Sequence, residues 1–300
     1  MDKSLQAALL CAALALPGHA MASSPPATAH DDHAAVHGVN TENVFGTLAG
    51  SDLLPVGAVE VTSDTMVRLG KLGGQYRGID QRLAVTYGAS SWLSASLAAT
   101  GSAVSVKRVE GLEDTSRTAM PGGIGGELRL RLVDRAHAPV GVTVSVAPGW
   151  NTIDTRSGIP ATVVSVESML SIDAALVPDT LFGAINLIHG LEHGKERDAT
   201  AWSDGSTLGA GAALSYRVLP TVFVGGEVRY LRAYEGTLGG RYAGDGIFAG
   251  PSVHVQIAHN AWASLSWSMQ VHGHEAAGAS HLNLTDFERH QVRLKVGFEF

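Results

Sequence analysis

The 300-residue sequence holds a single cysteine, Cys11, which excludes a disulfide-built scaffold. Charge is sparse: Asp, Glu, Lys and Arg make up 16% of the chain. Acids outnumber bases 28 to 21, for a net charge of −7, which argues against a nucleic-acid-binding surface. After the first twenty residues no apolar run approaches the ~20 positions that a membrane-spanning helix needs. Aromatics are few, at 6%, yet hydrophobic residues reach 45%, too many for a disordered chain. Glycine, by contrast, is abundant at 36 residues. With many Val and Ser and few helix-favouring runs, this composition points to β structure.

The N-terminus reads as an address. Lys3 is a short basic region, Leu5 to Leu16 an apolar stretch, and Pro17-Gly18 a break. Ala20-Met21-Ala22 then forms an A-x-A site, so residues 1–22 are expected to be a signal peptide cleaved near Ala22. Leu10 before Cys11 is too large for a lipoprotein cleavage site. Removal of this segment leaves no cysteine, which suits an oxidising compartment. Residues 23–50, rich in Ser, Pro, Ala, Asp, His and Gly, are expected to form a flexible periplasmic segment. Residues 51–300 form the folded domain.

That domain is a series of alternating strands. Val292, Leu294, Val296, Phe298 and Phe300 alternate with Gln291, Arg293, Lys295, Gly297 and Glu299. The period is two over ten residues. The same alternation recurs at Leu128/Leu130/Leu132, Val140 to Val146, Val253 to Ile257 and Leu265 to Val271. Twelve strands are predicted, near 57–69, 79–89, 92–104, 125–134, 139–150, 161–175, 180–190, 206–217, 221–233, 246–257, 261–272 and 288–300. Segments of ~10 residues match a tilted strand crossing a bilayer. The even count and the alternation of short turns with longer connections fit an antiparallel transmembrane β-barrel with both termini periplasmic. Two aromatic girdles are expected. One holds Trp92, Tyr216, Trp262, Phe298 and Phe300. The other holds Trp150, Trp202, Tyr230, Tyr234, Tyr242, Phe248 and Phe287. A terminal aromatic on an amphipathic strand, Phe300, is the expected signal to the outer-membrane assembly machinery.

Positions out of phase with the apolar set should line the lumen: Glu60, Asp64, Arg68, Arg82, Glu127, Arg129, Arg131, Glu167, Asp173, Glu227, Arg229, Arg289, Arg293, Lys295 and Glu299. Arg293 and Lys295 should face Glu60 and Asp64 across the closing seam. Such charges either pair and fill the barrel or form a polar eyelet that selects solutes.

Other constellations carry less. His30, His33 and His37, with Asp31 and Asp32, are the concentrated metal-ligand set. His189 to His193 has the wrong order for an H-E-x-x-H helix. A lipid hydrolase would need a Ser and a His on adjacent strands. Ser264, Ser266 and Ser268 with His272 or His290 are the residues to test. No G-x-S-x-G occurs. No catalytic residue and no cofactor are implied.

Several segments carry a resemblance: Gly50 to Glu60, Tyr87-Gly88-Ala89-Ser90-Ser91-Trp92-Leu93, Gly226 to Arg232, Phe248 to Pro251 and Phe287 to Gln291. Over roughly residues 45–300 the sequence resembles uncharacterised proteobacterial outer-membrane barrels grouped with the transporter-like MetA type of phenol degradation. The resemblance implies an outer-membrane location in a Gram-negative bacterium, contact with outer-membrane lipid, and transport of small molecules. The expected function is therefore a pore or facilitator without catalysis. A closed structural or interaction barrel, a metal-handling protein and a lipid-modifying enzyme stay open as alternatives.

Overall fold

The computed structural model describes residues 39–237, 240–276, 278 and 280–300, without the side chains of 119–121. The expected signal peptide and the candidate ligands His30, His33 and His37 lie outside the described residues.

Alternation drives the architecture. Strands β1 (Val59–Leu69), β2 (Gln75–Ser90), β3 (Leu93–Lys107), β4 (Thr115–Val133), β5 (Gly141–Ile153) and β6 (Pro160–Val177) form the first half. They are followed by β7 (Leu181–Glu196), β8 (Ser203–Leu219), β9 (Val222–Glu235), β10 (Arg241–Ala258), β11 (Ala261–Glu275) and β12 (His290–Glu299). Each strand pairs antiparallel with its sequence neighbours, and β1 pairs with β12 to close the barrel. The seam runs in register from Glu60↔Glu299 to Leu69↔His290. Closure leaves no unpaired edge, which a membrane requires because lipid offers no hydrogen-bond partners. All twelve predicted strands are present, including 161–175 and 180–190, whose alternation is least regular.

The outer surface is apolar. Leu97 is 78% exposed, and Leu83, Leu128, Ile185, Leu214 and Leu265 stand out around the wall. In water a belt of this extent would drive aggregation; in a bilayer it is the solvent-facing surface.

The two rims differ. At the inner rim, where β1 begins and β12 ends, adjacent strands are joined by tight turns such as His259-Asn260. At the outer rim the strands run on well past the predicted ends. β4 has 19 residues where ~9–11 cross the hydrocarbon. Much of what the sequence suggests as loops 105–124 and 191–205 is therefore strand. Once a strand leaves the bilayer, both of its faces can be polar, and the hydrophobic alternation fades. Two girdle residues turn inward instead. Trp262 lies against Gly297 and donates from Nε1 to Glu60 Oε2 at 2.7 Å, and Phe248 is fully buried. Both stand in phase with the lumen positions of their strands.

Candidate functional site

The lumen is occupied by the chain itself. Residues 39–50 fall within the segment expected to be flexible, but together with residues 51–54 they fold inside the barrel. Val44, Phe45 and Leu48 are at most 2% exposed and pack on Phe182, Ala184, Ala213 and Phe223 of the wall. The reason is enclosure: three large apolar side chains find a dry surface inside the cylinder that a lone tail could not make.

This segment is a closed loop with its tip pointing outward along the barrel. At its neck, the Thr41 amide and hydroxyl both donate to Asp52 Oδ2 at 2.9 Å. Gly50 lies so close to the Thr41 carbonyl that no side chain fits there. At its tip, Gly46 has φ +76°, and a Cβ would sit 2.9 Å from the Cβ atoms of Ser252 and Ser266. Only glycine meets both demands.

The wall holds the backbone of this floor. Glu227 Oε2 accepts the Thr47 amide at 2.8 Å. Asn186 accepts the Ala49 amide at 2.8 Å and donates to the Ala49 carbonyl at 2.9 Å. Asp173 accepts both the amide and the hydroxyl of Ser51. Arg129 donates to the Gly50 carbonyl at 2.9 Å, and Arg293 to that of Thr47 at 3.1 Å. Lys295 Nζ reaches Asn43 Oδ1 at 3.4 Å, and Arg135 joins Asp52 at 2.6 Å. Bonds to charged partners out of bulk water are worth ~1.5–3 kcal/mol each. Near Arg129, at 3.6 Å, stands Glu42. Burial pushes the Glu42 carboxyl up to about 7, against the pull of Arg129 and Lys295 and with the push of Glu60 and Glu127.

The remaining lumen charges divide by height. Directly above the floor, Arg293 grips Asp64 at 2.6 Å, with Arg82 3.9 Å from Glu127 and 3.2 Å from Ser96. In register, Asp64 stands opposite Lys295 on one side and Arg82 on the other. Glu167 points into the lumen, is exposed there, and has no ion pair among the described residues. Glu192, not among the predicted lumen residues, lies diagonal to Glu167 on β7 and is also exposed. Arg229 donates to Ser268 and Gln291, both at 2.8 Å. At the inner rim Arg131 pairs with Asp134 at 3.3 Å, and Glu299 faces Glu60.

Arg68 serves a different structure, a roof at the outer rim. Its guanidinium donates to Asp80, Tyr76, Glu288 and the Thr155 carbonyl, at 2.6–2.9 Å. Thr155 belongs to the β5–β6 loop, which crosses the opening. Arg156 of that loop reaches the Thr285 carbonyl in the β11–β12 loop at 2.7 Å. Lys71 Nζ reaches the same carbonyl at 3.2 Å. Burial pushes the Lys71 ammonium down to about 8, although Glu288 lies 3.7 Å away.

The hydrolase arrangement does not form. Ser264, Ser266 and Ser268 face the lumen, whereas His290 lies on the outer face against Trp267. A β-bulge beyond Gln270 puts His272 on that outer face too. A sheet separates the two residue types. Among the described residues no three His, Cys, Asp or Glu side chains gather as metal ligands.

An apolar exterior, a closed antiparallel sheet and a charged interior define a transmembrane β-barrel of the outer-membrane type. The chain belongs to the family of unknown function DUF6662, which it matches over residues 37–300. Among curated proteins no relative matches the sequence. Similar solved structures include the COG4313 outer membrane channel from Pseudomonas putida F1. It has a TM-score of 0.57 at 12% identity over 83% of this chain and 98% of that one. The beta domain of the Bordetella autotransporter BrkA has a TM-score of 0.51 at 10% identity over 82% of this chain and 100% of that one. At these identities the likeness is one of fold.

Proposed function

We propose that this protein is an outer-membrane channel for small molecules, reached by way of a cleaved signal peptide, and that residues 39–54 are its gate. One observation carries the reading. The lumen is closed by a segment joined to the wall mainly through side chains that grip its backbone, so it can leave without breaking the barrel. Above it, exposed Glu167 and Glu192 mark a lumen that admits water. Arg82, Glu127 and Glu167 would then meet the solute, whereas Arg129, Glu227 and Arg293 hold the gate. The likeness to a COG4313 channel and the resemblance to MetA-type barrels point in the same direction as analogies. A closed interaction barrel is the second reading, favoured by the roof contact from Arg68 to Thr155.

The test is a reversible lock. The hydroxyl oxygens of Thr47 and Ser266 lie 3.2 Å apart, so a Thr47→Cys/Ser266→Cys pair can be bridged. The purified protein is placed in a planar bilayer. Current that stops on oxidation and returns on reduction supports the gate. Current indifferent to the lock shows that solutes bypass the segment. Silence in both states, and in a Glu227→Ala/Asn186→Ala variant, selects the closed barrel.

A further inference from the structure

On the outside of the barrel, at the outer rim, β9, β10 and β11 assemble a polar cluster with no role in the lumen. Tyr230 stands out from the wall, and the two-residue period puts Arg232 and Tyr234 on the same face. Across the ladder they meet Tyr242 and Asp245, and Asp245 meets His274. Arg232 is the eleventh residue of β9 (Val222–Glu235). About 9–11 residues cross the hydrocarbon, so this side chain stands at the boundary where headgroups begin.

The Arg232 guanidinium lies against aromatic rings and pairs with no carboxylate among the described residues. Its Cζ lies 4.6 Å from the Tyr242 ring centroid and 5.3 Å from that of Tyr234. It makes no ion pair among the described residues, and its Nε is buried without a hydrogen-bond partner. The nearest candidate, Asp245, is taken by others. Tyr242 donates to it at 2.7 Å, Tyr230 at 3.4 Å, and His274 Nδ1 stands 3.4 Å away. Glu235 is taken by Arg241. A guanidinium set against aromatic rings can still turn N–H groups toward a tetrahedral oxyanion. The aromatic rings around it favour the same interfacial depth.

We propose that Arg232, framed by Tyr234 and Tyr242, is a binding site for the phosphate of an outer-leaflet glycolipid headgroup. The site lies on the lipid-facing wall and is independent of whether the lumen conducts. It rests on the barrel residing in the outer membrane. The terminal N–H groups of Arg232, which pair with no carboxylate among the described residues, are the donors a phosphate oxygen would meet. Asp245 fixes Tyr242 by accepting its hydroxyl at 2.7 Å, and Arg232 is the cation the ligand meets.

The test uses the full protein folded in a phosphate-free maltoside detergent, with native mass spectrometry as readout. The probes are bisphosphorylated lipid A, the same lipid without phosphates, and inorganic phosphate as competitor. Wild type should retain the phosphorylated lipid about ten-fold better than Arg232→Gln. Arg232→Lys should fall between, because it keeps the charge and loses the planar fork. Arg217→Gln, at the opposite rim, should match wild type. Heat-modifiable gel migration shows that each variant is folded. Loss of retention only with Arg232 changes and only for the phosphorylated lipid supports the site. Displacement by inorganic phosphate assigns recognition to the phosphate group alone, and persistence assigns it to the lipid. No retention by wild type, equal retention by Arg232→Gln, or equal retention of the dephosphorylated lipid overturns the proposal.

Discussion

The barrel is crossed at two heights, and the two closures are built differently. The floor, residues 39–54, combines an apolar anchor of Val44, Phe45 and Leu48 with side chains that bond its backbone. The roof is made of loops between strands and is organised by cations: Arg68 with Glu288, Asp80 and the Thr155 carbonyl, and Arg156 and Lys71 with the Thr285 carbonyl. The floor depends on packing and on hydrogen bonds out of bulk water. The roof depends on a buried ion-pair cluster, with the Arg68, Glu288 and Lys71 side chains all largely out of water, which salt screens only weakly.

Breaking the floor's anchor should have the largest effect. Phe45→Ala removes a fully buried ring and should cost about 3–5 kcal/mol of docking. Hydrogen exchange of residues 39–54 should then become fast while the strands stay protected. Next comes the roof. Arg68→Ala leaves Glu288 buried with Lys71 as its one nearby cation, at a cost of about 3 kcal/mol. Protease should cut the β11–β12 loop of this variant without touching residues 39–54. Asn186→Ala deletes both bonds to Ala49 and should weaken the floor by about 2 kcal/mol, read by the same exchange measurement.

A pH series sharpens the contrast further. Burial raises the Glu42 carboxyl from 4.5 to about 7, so its protonated form favours docking. That stabilisation is complete below about 4.5, is lost as pH rises, and is gone above about 7. Floor exchange should therefore quicken between these values, and Glu42→Gln should abolish the change. The charges facing Glu42 are Arg129, Glu60, Glu127 and Lys295. The smallest effect is expected from Glu235→Gln, since its partner Arg241 is on the surface. Neither floor nor roof exchange should move.

Much of the fold is legible without coordinates. In β12 every second residue is apolar because one face meets lipid and the other meets the lumen. The same contrast places Asp64 and Arg293 on one side of neighbouring strands, where they form an ion pair. Legibility fails where that contrast ends. Beyond the bilayer β4 and β7 run on unannounced, and Trp262 and Phe248 turn inward because the lumen offers apolar surface of its own. The floor was the larger loss. Val44, Phe45 and Leu48 show no strand period, and a short segment among Ser, Pro and His looks unable to bury anything. Three large apolar residues close together, followed by Leu53-Leu54, were the available signal.

Sequence alone thus determined the wall: strand number, pairing order and the outward face all follow from a two-residue period, which is a local property. What fills the wall was decided only in three dimensions. Asn186 and Ala49 are 137 residues apart, and no local pattern links them. They meet because closing the cylinder turns Asn186 inward and creates an enclosure in which Phe45 is dry.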